Sequence, residues 1–355
     1  MGHGLTIRGD SLYCPLSLSL DSYGNCLNDC WHCYLRRLNY IWGQDLKPTD
    51  TNLLERKLQN GLKAPQPKSS LAWALKNKNT IRWGNKADPF QLADRKWRVS
   101  QRIFDILIKL EWSFVIQTMC TSAMMFYEDR IIKAKKFGIV QPIISCGGEK
   151  DWDVLERKRT TPINDRFVHL KQLKKQGVQV AVNGEPFIPG WHTTKDFEQM
   201  MKRLKSNGLD TYNVYNFHFN DFVAKRLVKI GLDIEAIWLG NQDEAWRKTQ
   251  QELCDIAKKY NIYLGCPDFV NTGSDYIEDR STCCGVNAPN PTRFNAHFFK
   301  KRLQEGMPVK QIITECWDGV GNKELGIQIL TGHSEKFYTM ADAGFAPKNK
   351  KGLLF

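Results

Sequence analysis

The chain has 355 residues, of which 42% are hydrophobic and 25% charged, and its formal net charge is +13. This length supports one large α/β core, and the absence of any run of about 18 apolar residues excludes a predicted membrane span. A disulfide framework is typical of short secreted chains and does not suit a chain of 355 residues with an odd number of cysteines, 11. With no apolar export segment predicted, we expect reduced thiols and a cytoplasmic protein.

The positive charge is spread along the chain instead of being collected in one tail. Basic clusters occur at residues 133–136, 171–175, 300–302 and 348–351. This distribution favours a folded surface that meets phosphates, and nucleic acid is the partner that it predicts. The alternative is a set of solvated helix faces.

From about residue 15 onward, short apolar runs alternate with amphipathic stretches, which is typical of repeated βα units. The predicted strands are 15–20, 80–85, 113–118, 141–145, 178–182 and 211–215. The predicted helices are 88–110, 127–137, 164–176, 194–206 and 244–260. Residues 45–70 are polar and are predicted to be an insertion or a loop. Beyond about residue 220 the alternation loosens, so that 1–220 and 221–355 are predicted to be separate parts.

Three cysteines follow the first predicted strand in a C-x3-C-x2-C arrangement, Cys26, Cys30 and Cys33. Thiolates hold iron–sulfur clusters, and three of them leave one iron of a [4Fe–4S] cluster open for a small molecule. A zinc site usually needs four ligands, and His32 is poorly placed as the fourth because it directly precedes Cys33. The spacing therefore favours a cluster with an open iron.

With the aromatic Tyr34 next in the chain, this motif resembles the signature of the radical S-adenosylmethionine superfamily. The resemblance implies a partial (β/α)6 TIM-like barrel over residues 1–220, closed by a C-terminal extension over 221–355 that also contacts substrate. It further implies S-adenosylmethionine on the open iron, a 5′-deoxyadenosyl radical, and an electron donor such as flavodoxin or ferredoxin. Chemistry in such barrels takes place at the carboxyl ends of the strands.

Two further stretches, 81–91 and 145–190, resemble the spore photoproduct lyase-like branch of that superfamily. The resemblance implies that Gly84 and Asn85 receive the methionine amino group and that Ser145 contacts the ribose. Ordinary turn residues are the alternative at these positions. The predicted cofactor-binding residues are Tyr34, Gly84, Asn85, Ser145, Pro189 and Gly190.

The branch is named for an enzyme with a hydrogen-donor cysteine downstream of its cluster motif, but this chain has no cysteine between Cys33 and Cys120. Repair of spore photoproduct by that route is therefore not expected. The candidate hydrogen donors are Cys120, Cys146, Cys283 and Cys284. Buried structural thiols are the alternative. Cys266, Cys283 and Cys284 would be the ligands if the chain held an auxiliary cluster.

Three functions remain open from the sequence. The first is a lyase or isomerase that repairs or rearranges a modified, thymine-derived base in DNA, a reading supported by aromatic residues at 212–219 that could stack on a base. The second is modification of a peptide or protein with the help of an auxiliary cluster. The third is a non-catalytic nucleic-acid-binding protein with a structural metal.

Overall fold

The computed structural model describes residues 2–7, 15–35, 46–215, 217–265 and 285–292, with short pieces at 302, 305–308, 311–312, 315 and 319–320. The strands are β1 (Leu5–Ile7), β2 (Leu18–Leu20), β3 (Ile81–Trp83), β4 (Phe114–Thr118), β5 (Gly138–Pro142), β6 (Gln179–Val180), β7 (Val182–Asn183), β8 (Thr211–Asn213) and β9 (Tyr263–Gly265). Cys266, Cys283 and Cys284 lie outside the described residues.

Helices connect the strands. They are α1 (Thr51–Lys63), α2 (Ser70–Lys76), α3 (Asp94–Trp97), α4 (Val99–Lys109), α5 (Thr121–Met124), α6 (Glu128–Lys133), α7 (Glu149–Val154), α8 (Ile163–Lys175), α9 (Thr194–Ser206), α10 (Asp221–Val228), α11 (Ile234–Gly240) and α12 (Asp243–Lys259). A 3-10 turn over Met125–Tyr127 joins α5 to α6.

The strands form two sheets that continue one another. In the first, β2 to β6 lie side by side and parallel, and β1 is added antiparallel to β2. In the second, β7, β8 and β9 are parallel. A parallel bridge between Ile143 and Asn183 joins the two sheets. This curved array of parallel strands with helical crossovers confirms the predicted α/β class and its TIM-like pattern.

Residues alternate along each strand between two buried layers. Large aromatic side chains on one face pack beneath the helices, with Trp83 against Phe90, Phe104 and Phe114 at centroid distances of 4.8–6.0 Å. Smaller side chains on the other face, such as Val115 and Ile139, form a separate cluster. Both faces of the array are thus buried, as parallel sheets require.

Residues 45–70 were predicted to be an insertion or a loop, and half of this segment is helical, because residues 51–63 form helix α1. Asp50 caps this helix by accepting the Leu53 N–H at 2.9 Å. Leu54 and Leu58, one helical turn apart, are fully buried. The polar composition of the segment concealed this narrow apolar stripe.

Other boundaries also differ from prediction. The helix expected over 88–110 is divided at Arg98, whose φ of 48° lies in the left-handed region, into α3 and α4. The fourth predicted strand begins earlier, at Gly138, where a Cβ atom would lie 2.8 Å from the Phe114 ring. The parallel array also extends past residue 220, since β9 pairs with β8. Helix α9 has the predicted bounds and a capping box between Thr193 and Asp196.

Among the described residues, no helix is both long and apolar enough to cross a membrane.

Candidate active site

The three motif cysteines lie on the loop that leaves the carboxyl end of β2, where the barrel pattern predicts chemistry. All three are thiols, and the Cys33 N–H donates to the Cys30 carbonyl at 3.2 Å. Burial, followed by the charge of Asp88, raises the pKa of Cys26 to about 12. Burial also raises the pKa of Cys30, and Glu156, Cys33 and Cys26 add to the effect. The thiols therefore share one electrostatic environment and would lose their protons on binding a metal.

The donor set is of the kind that holds an iron–sulfur cluster, because its members are thiols of one loop. Within the described part of the chain, no three His, Cys, Asp or Glu side chains converge as ligands of one metal ion. The thiolates of a [4Fe–4S] cluster bind different irons and need not converge on one point. Cys26, Cys30 and Cys33 are therefore the residues that would hold the predicted cluster.

Residues after β3 support the cysteine loop. Gln91 accepts the Leu27 N–H at 2.7 Å and donates to the Asn25 carbonyl at 2.8 Å. The Asn25 side chain in turn accepts the Cys26 N–H at 2.7 Å. These bonds fix the start of the loop to the Asp88–Gln91 segment. Neither Gln91 nor Asn25 was predicted as a site residue, because an isolated amide side chain has no recognisable pattern.

Cys120 lies against the same loop from the side of β4. Its thiol meets the Asn28 side chain, which donates to sulfur at 3.4 Å. Asp88 accepts the Met119 N–H at 2.7 Å and the Thr118 hydroxyl at 2.8 Å. Burial, then Asp88, raises the pKa of Cys120 well above its usual range. The structure therefore brings this predicted donor next to the predicted cluster ligands.

The β3 end of the site contains Gly84 and Asn85. Gly84 has a φ of 99°, and a Cβ atom there would lie 2.3 Å from the Gln117 carbonyl oxygen, so only glycine fits. The buried Asp21 accepts the backbone N–H groups of Lys86 and Ala87 through Oδ1, at 2.6 and 3.2 Å. Its Oδ2 has no hydrogen-bond partner among the described residues, and burial raises the pKa of Asp21. A buried acceptor thus lies beside the predicted amino-binding segment.

A second polar group occupies the β5 end, around Asp151 at the start of α7. Asp151 accepts hydrogen bonds from Ser145 Oγ, from Trp191 Nε1 at 2.7 Å and from His192 Nε2 at 2.7 Å. Burial alone would raise the pKa of Asp151, but these donors lower it below its usual range. Asp151 is therefore an ionised carboxylate in the interior, held by three donors.

His192 has a defined tautomer in this group. Its Nδ1 accepts the Ile188 N–H at 2.8 Å, which places the ring proton on Nε2, facing Asp151. Cys146 is buried, follows Ser145 directly, and acts electrostatically on both His192 and Tyr212. The structure thus surrounds this predicted donor with a fixed polar network that the sequence did not reveal.

Pro189 and Gly190 pack against a helix. Gly190 has a φ of 78°, and a Cβ atom there would lie 3.0 Å from Ala236 of α11. Pro189 lies close to Gly240 at the end of the same helix. The close approach that selects glycine here is to α11. Tyr34, the remaining predicted residue, is more than one-third exposed, and its ring centroid lies 4.6 Å from that of His218.

Inside the barrel, five buried side chains form a chain of hydrogen bonds that we call the amide belt. Its members are Arg82, Gln117, Gln141, Asn213 and Asn183. Each side chain donates a hydrogen bond to the next one in this order. The distances are 2.5 Å from Arg82 to Gln117, 2.9 Å from Gln117 to Gln141, 3.1 Å from Gln141 to Asn213 and 2.8 Å from Asn213 to Asn183. In the part of the chain that the structure describes, Nδ2 of Asn183, at the end of the belt, has no partner. Beneath the candidate site, the lumen is therefore lined by four amide groups and one guanidinium.

The fold is similar to that of spore photoproduct lyase. A cysteine-to-serine variant of that enzyme superposes with a TM-score of 0.54 at 12% identity, over 74% of this chain and 79% of the other. A cysteine-to-alanine variant with dinucleoside spore photoproduct gives 0.52 at 10% identity, over 71% and 76%. No protein-family model matches the sequence, and neither does any curated protein. The similarity confirms, at the level of the fold, the resemblance stated from the sequence.

Proposed function

We propose that the protein is a radical S-adenosylmethionine enzyme that acts on a base in DNA. The observation that carries this proposal is the loop of three thiols, Cys26, Cys30 and Cys33, at the carboxyl end of the first parallel strand of a spore photoproduct lyase-like fold. When bound, a [4Fe–4S] cluster and S-adenosylmethionine together supply a 5′-deoxyadenosyl radical by reductive cleavage.

The residues around the loop suit this cofactor pair. The cysteine thiolates would hold the cluster, and Oδ2 of Asp21, which has no partner among the described residues, offers a buried carboxyl acceptor beside Gly84 and Asn85 for an ammonium group. The Ser145 hydroxyl donates a hydrogen bond to Asp151. The lone pairs of Ser145 Oγ therefore remain available to accept a hydrogen bond from a ribose hydroxyl. Tyr34, a partly exposed aromatic residue that directly follows Cys33, is also among the cofactor-binding residues that we propose.

Among the candidate hydrogen donors we favour Cys146. The Cys120 thiol is engaged by Asn28 against the cysteine loop. Cys146 instead lies at the β5 end, beside the network of Asp151 and His192, which fixes its surroundings. In the proposed step the substrate radical takes a hydrogen atom from the thiol, so that an S–H bond breaks, a C–H bond forms, and a thiyl radical remains.

Three observations support a nucleic-acid substrate: the net charge of +13, the amide groups of the lumen and the similarity of fold. Amide side chains pair donor and acceptor atoms, as the edges of bases do. Thymine-derived bases in DNA, either repaired or rearranged, are the substrates we propose. The peptide alternative depends on Cys266, Cys283 and Cys284, which lie outside the described residues.

The test is anaerobic reconstitution followed by turnover. We expect about four irons per chain and formation of 5′-deoxyadenosine when S-adenosylmethionine and dithionite are added. DNA, RNA and peptide are then compared as additions. Stimulation by DNA supports the proposal. Iron near eight per chain with stimulation by peptide would replace it with the peptide function, and the absence of 5′-deoxyadenosine under every condition would refute catalysis of this class.

A further inference from the structure

Three arginines converge on the cysteine loop from outside the groups described above. Asp29, in the middle of the loop, pairs with Arg157 and, at 2.9 Å, with Arg226 of α10. Arg159 Nη1 lies 3.7 Å from the same carboxylate. One loop carboxylate is thus surrounded by cations from two separate segments of the chain.

The same arginines cover the ring of Trp31, two residues further along the loop. The guanidinium carbons of Arg157 and Arg226 lie 5.0 and 5.2 Å from the ring centroid, which are cation–π distances. The backbone N–H of Trp31 also donates to the Leu155 carbonyl at 2.8 Å. The segment at 155–159 is therefore attached directly to the loop that carries the predicted cluster ligands.

The backbone of this segment adopts an unfavourable conformation. Arg157 and Lys158 are consecutive and have φ angles of 56° and 54°, and Asp29 has 53°. The left-handed region is sterically unfavourable for residues other than glycine, and such residues concentrate at functional sites. The turn leaves the side chains of Lys158 and Arg159 60% and 47% exposed.

We call Arg157, Lys158, Arg159 and Arg226 the arginine face. Its described ion pairs involve two carboxylates, Asp29 and Asp153, the latter 2.7 Å from Lys158. Four cations therefore meet two anions, and the face keeps a positive excess. Such a face attracts an acidic partner and raises its association rate at low ionic strength.

We propose that the arginine face is the docking surface for an acidic protein electron carrier. This inference rests on the proposed function, in which one electron passes from the reduced carrier to the cluster site and leaves the carrier oxidised by one electron. A carrier is favoured over a nucleic acid because Arg157 and Arg226 touch the cysteine loop itself, which the electron must reach. Trp31 lies between the two arginines at the same place.

The first test measures binding without turnover. Reduced flavodoxin, a strongly acidic carrier, is titrated calorimetrically into the reconstituted protein at 50 and 300 mM salt. We expect Lys158→Glu/Arg159→Glu to weaken binding at least about tenfold at low salt, with the difference shrinking at high salt because screening increases. The matched control is Lys171→Glu/Lys175→Glu, which reverses two exposed charges at the far end of α8. Equal weakening in both variants, or in neither, overturns the proposal.

The second test separates this proposal from the proposed function. Formation of 5′-deoxyadenosine is measured with flavodoxin and, separately, with dithionite, a small reductant that needs no docking surface. Selective loss of the flavodoxin-supported rate supports the arginine face, whereas parallel loss with both reductants overturns it. If the face variant instead loses affinity for duplex DNA and keeps flavodoxin binding, the face belongs to the substrate. Flavodoxin binding to this face without 5′-deoxyadenosine under any condition would refute only the proposed function. If the charge reversal prevents folding, Lys158→Gln/Arg159→Gln takes its place.

Discussion

Cys30 is the most buried of the three motif cysteines, and it lies between the other two in the chain. We expect Cys30→Ser to reduce the reconstituted iron from about four per chain to near zero, because a hydroxyl does not replace a thiolate as an iron ligand. Iron and sulfide analysis after anaerobic reconstitution measures this loss. The control is Cys254→Ser, a thiol on α12 with no proposed role. Full iron content in the Cys30 variant would contradict the assignment.

Cys146 gives a prediction that distinguishes it from Cys120. A thiol exchanges its hydrogen with solvent, so a reaction in D₂O should place deuterium in the product if a thiol returns the hydrogen atom. We expect Cys146→Ala to abolish this incorporation and Cys120→Ala to retain it. Mass spectrometry of the product measures the difference. The reverse pattern would assign the donor role to Cys120.

At the scale of elements, helix α1 gives a prediction about the stability of the fold. Leu54 is fully buried, and Leu54→Ala should lower the free energy of unfolding by about 2–5 kcal/mol through lost burial and a residual cavity. Asn52→Ala, at an exposed position of the same helix, is the control and should have little effect. Urea denaturation of both variants measures the change. Similar stability of the two variants would indicate that α1 contributes little to the core.

The contact between α9 and α12 gives a prediction about pH. Glu198 accepts from Lys259 at 2.8 Å and from the Tyr260 hydroxyl at 2.7 Å, and these bonds lower its pKa to about 2. A lowered pKa in the folded state stabilises the protein above the ordinary value of about 4.5, and this contribution is lost as pH falls toward 2. The wild-type advantage over Glu198→Gln in urea midpoint should therefore shrink over that range. A constant difference would contradict the assignment.

Elements with strong local signals were predictable from the sequence, and those defined by tertiary contacts were not. Helix α9 has its cap and apolar stripe in consecutive residues, so its bounds agreed with prediction. The prediction for β5 was displaced because a glycine after the helix predicted over 127–137 is a typical helix terminator, whereas Gly138 begins the strand beside the ring of Phe114. The cysteine loop was predictable from spacing. Asp151, His192 and the arginine face were not, because their partners lie far away in the sequence.

For the whole molecule, the net charge of +13 predicts that the affinity for duplex DNA depends on salt concentration. We expect duplex DNA to bind with an affinity that falls about a hundredfold between 50 and 200 mM salt if some four phosphates are neutralised. Fluorescence anisotropy with a labelled duplex measures the slope, and an uncharged peptide of similar mass is the control. An affinity independent of salt would indicate that the basic residues are only solvated surface.

The amide belt also has a consequence for the curvature of the sheet. Strands β6 and β7 are separated only by Ala181, and together they pair with β5 on one side, while β7 pairs with β8 on the other. The Gln141–Asn213 hydrogen bond spans this pair of strands and links β5 to β8 directly through side chains. Flattening the sheet there would separate a buried amide pair. The curvature of the sheet is therefore linked to the chemistry of the groups that line its interior.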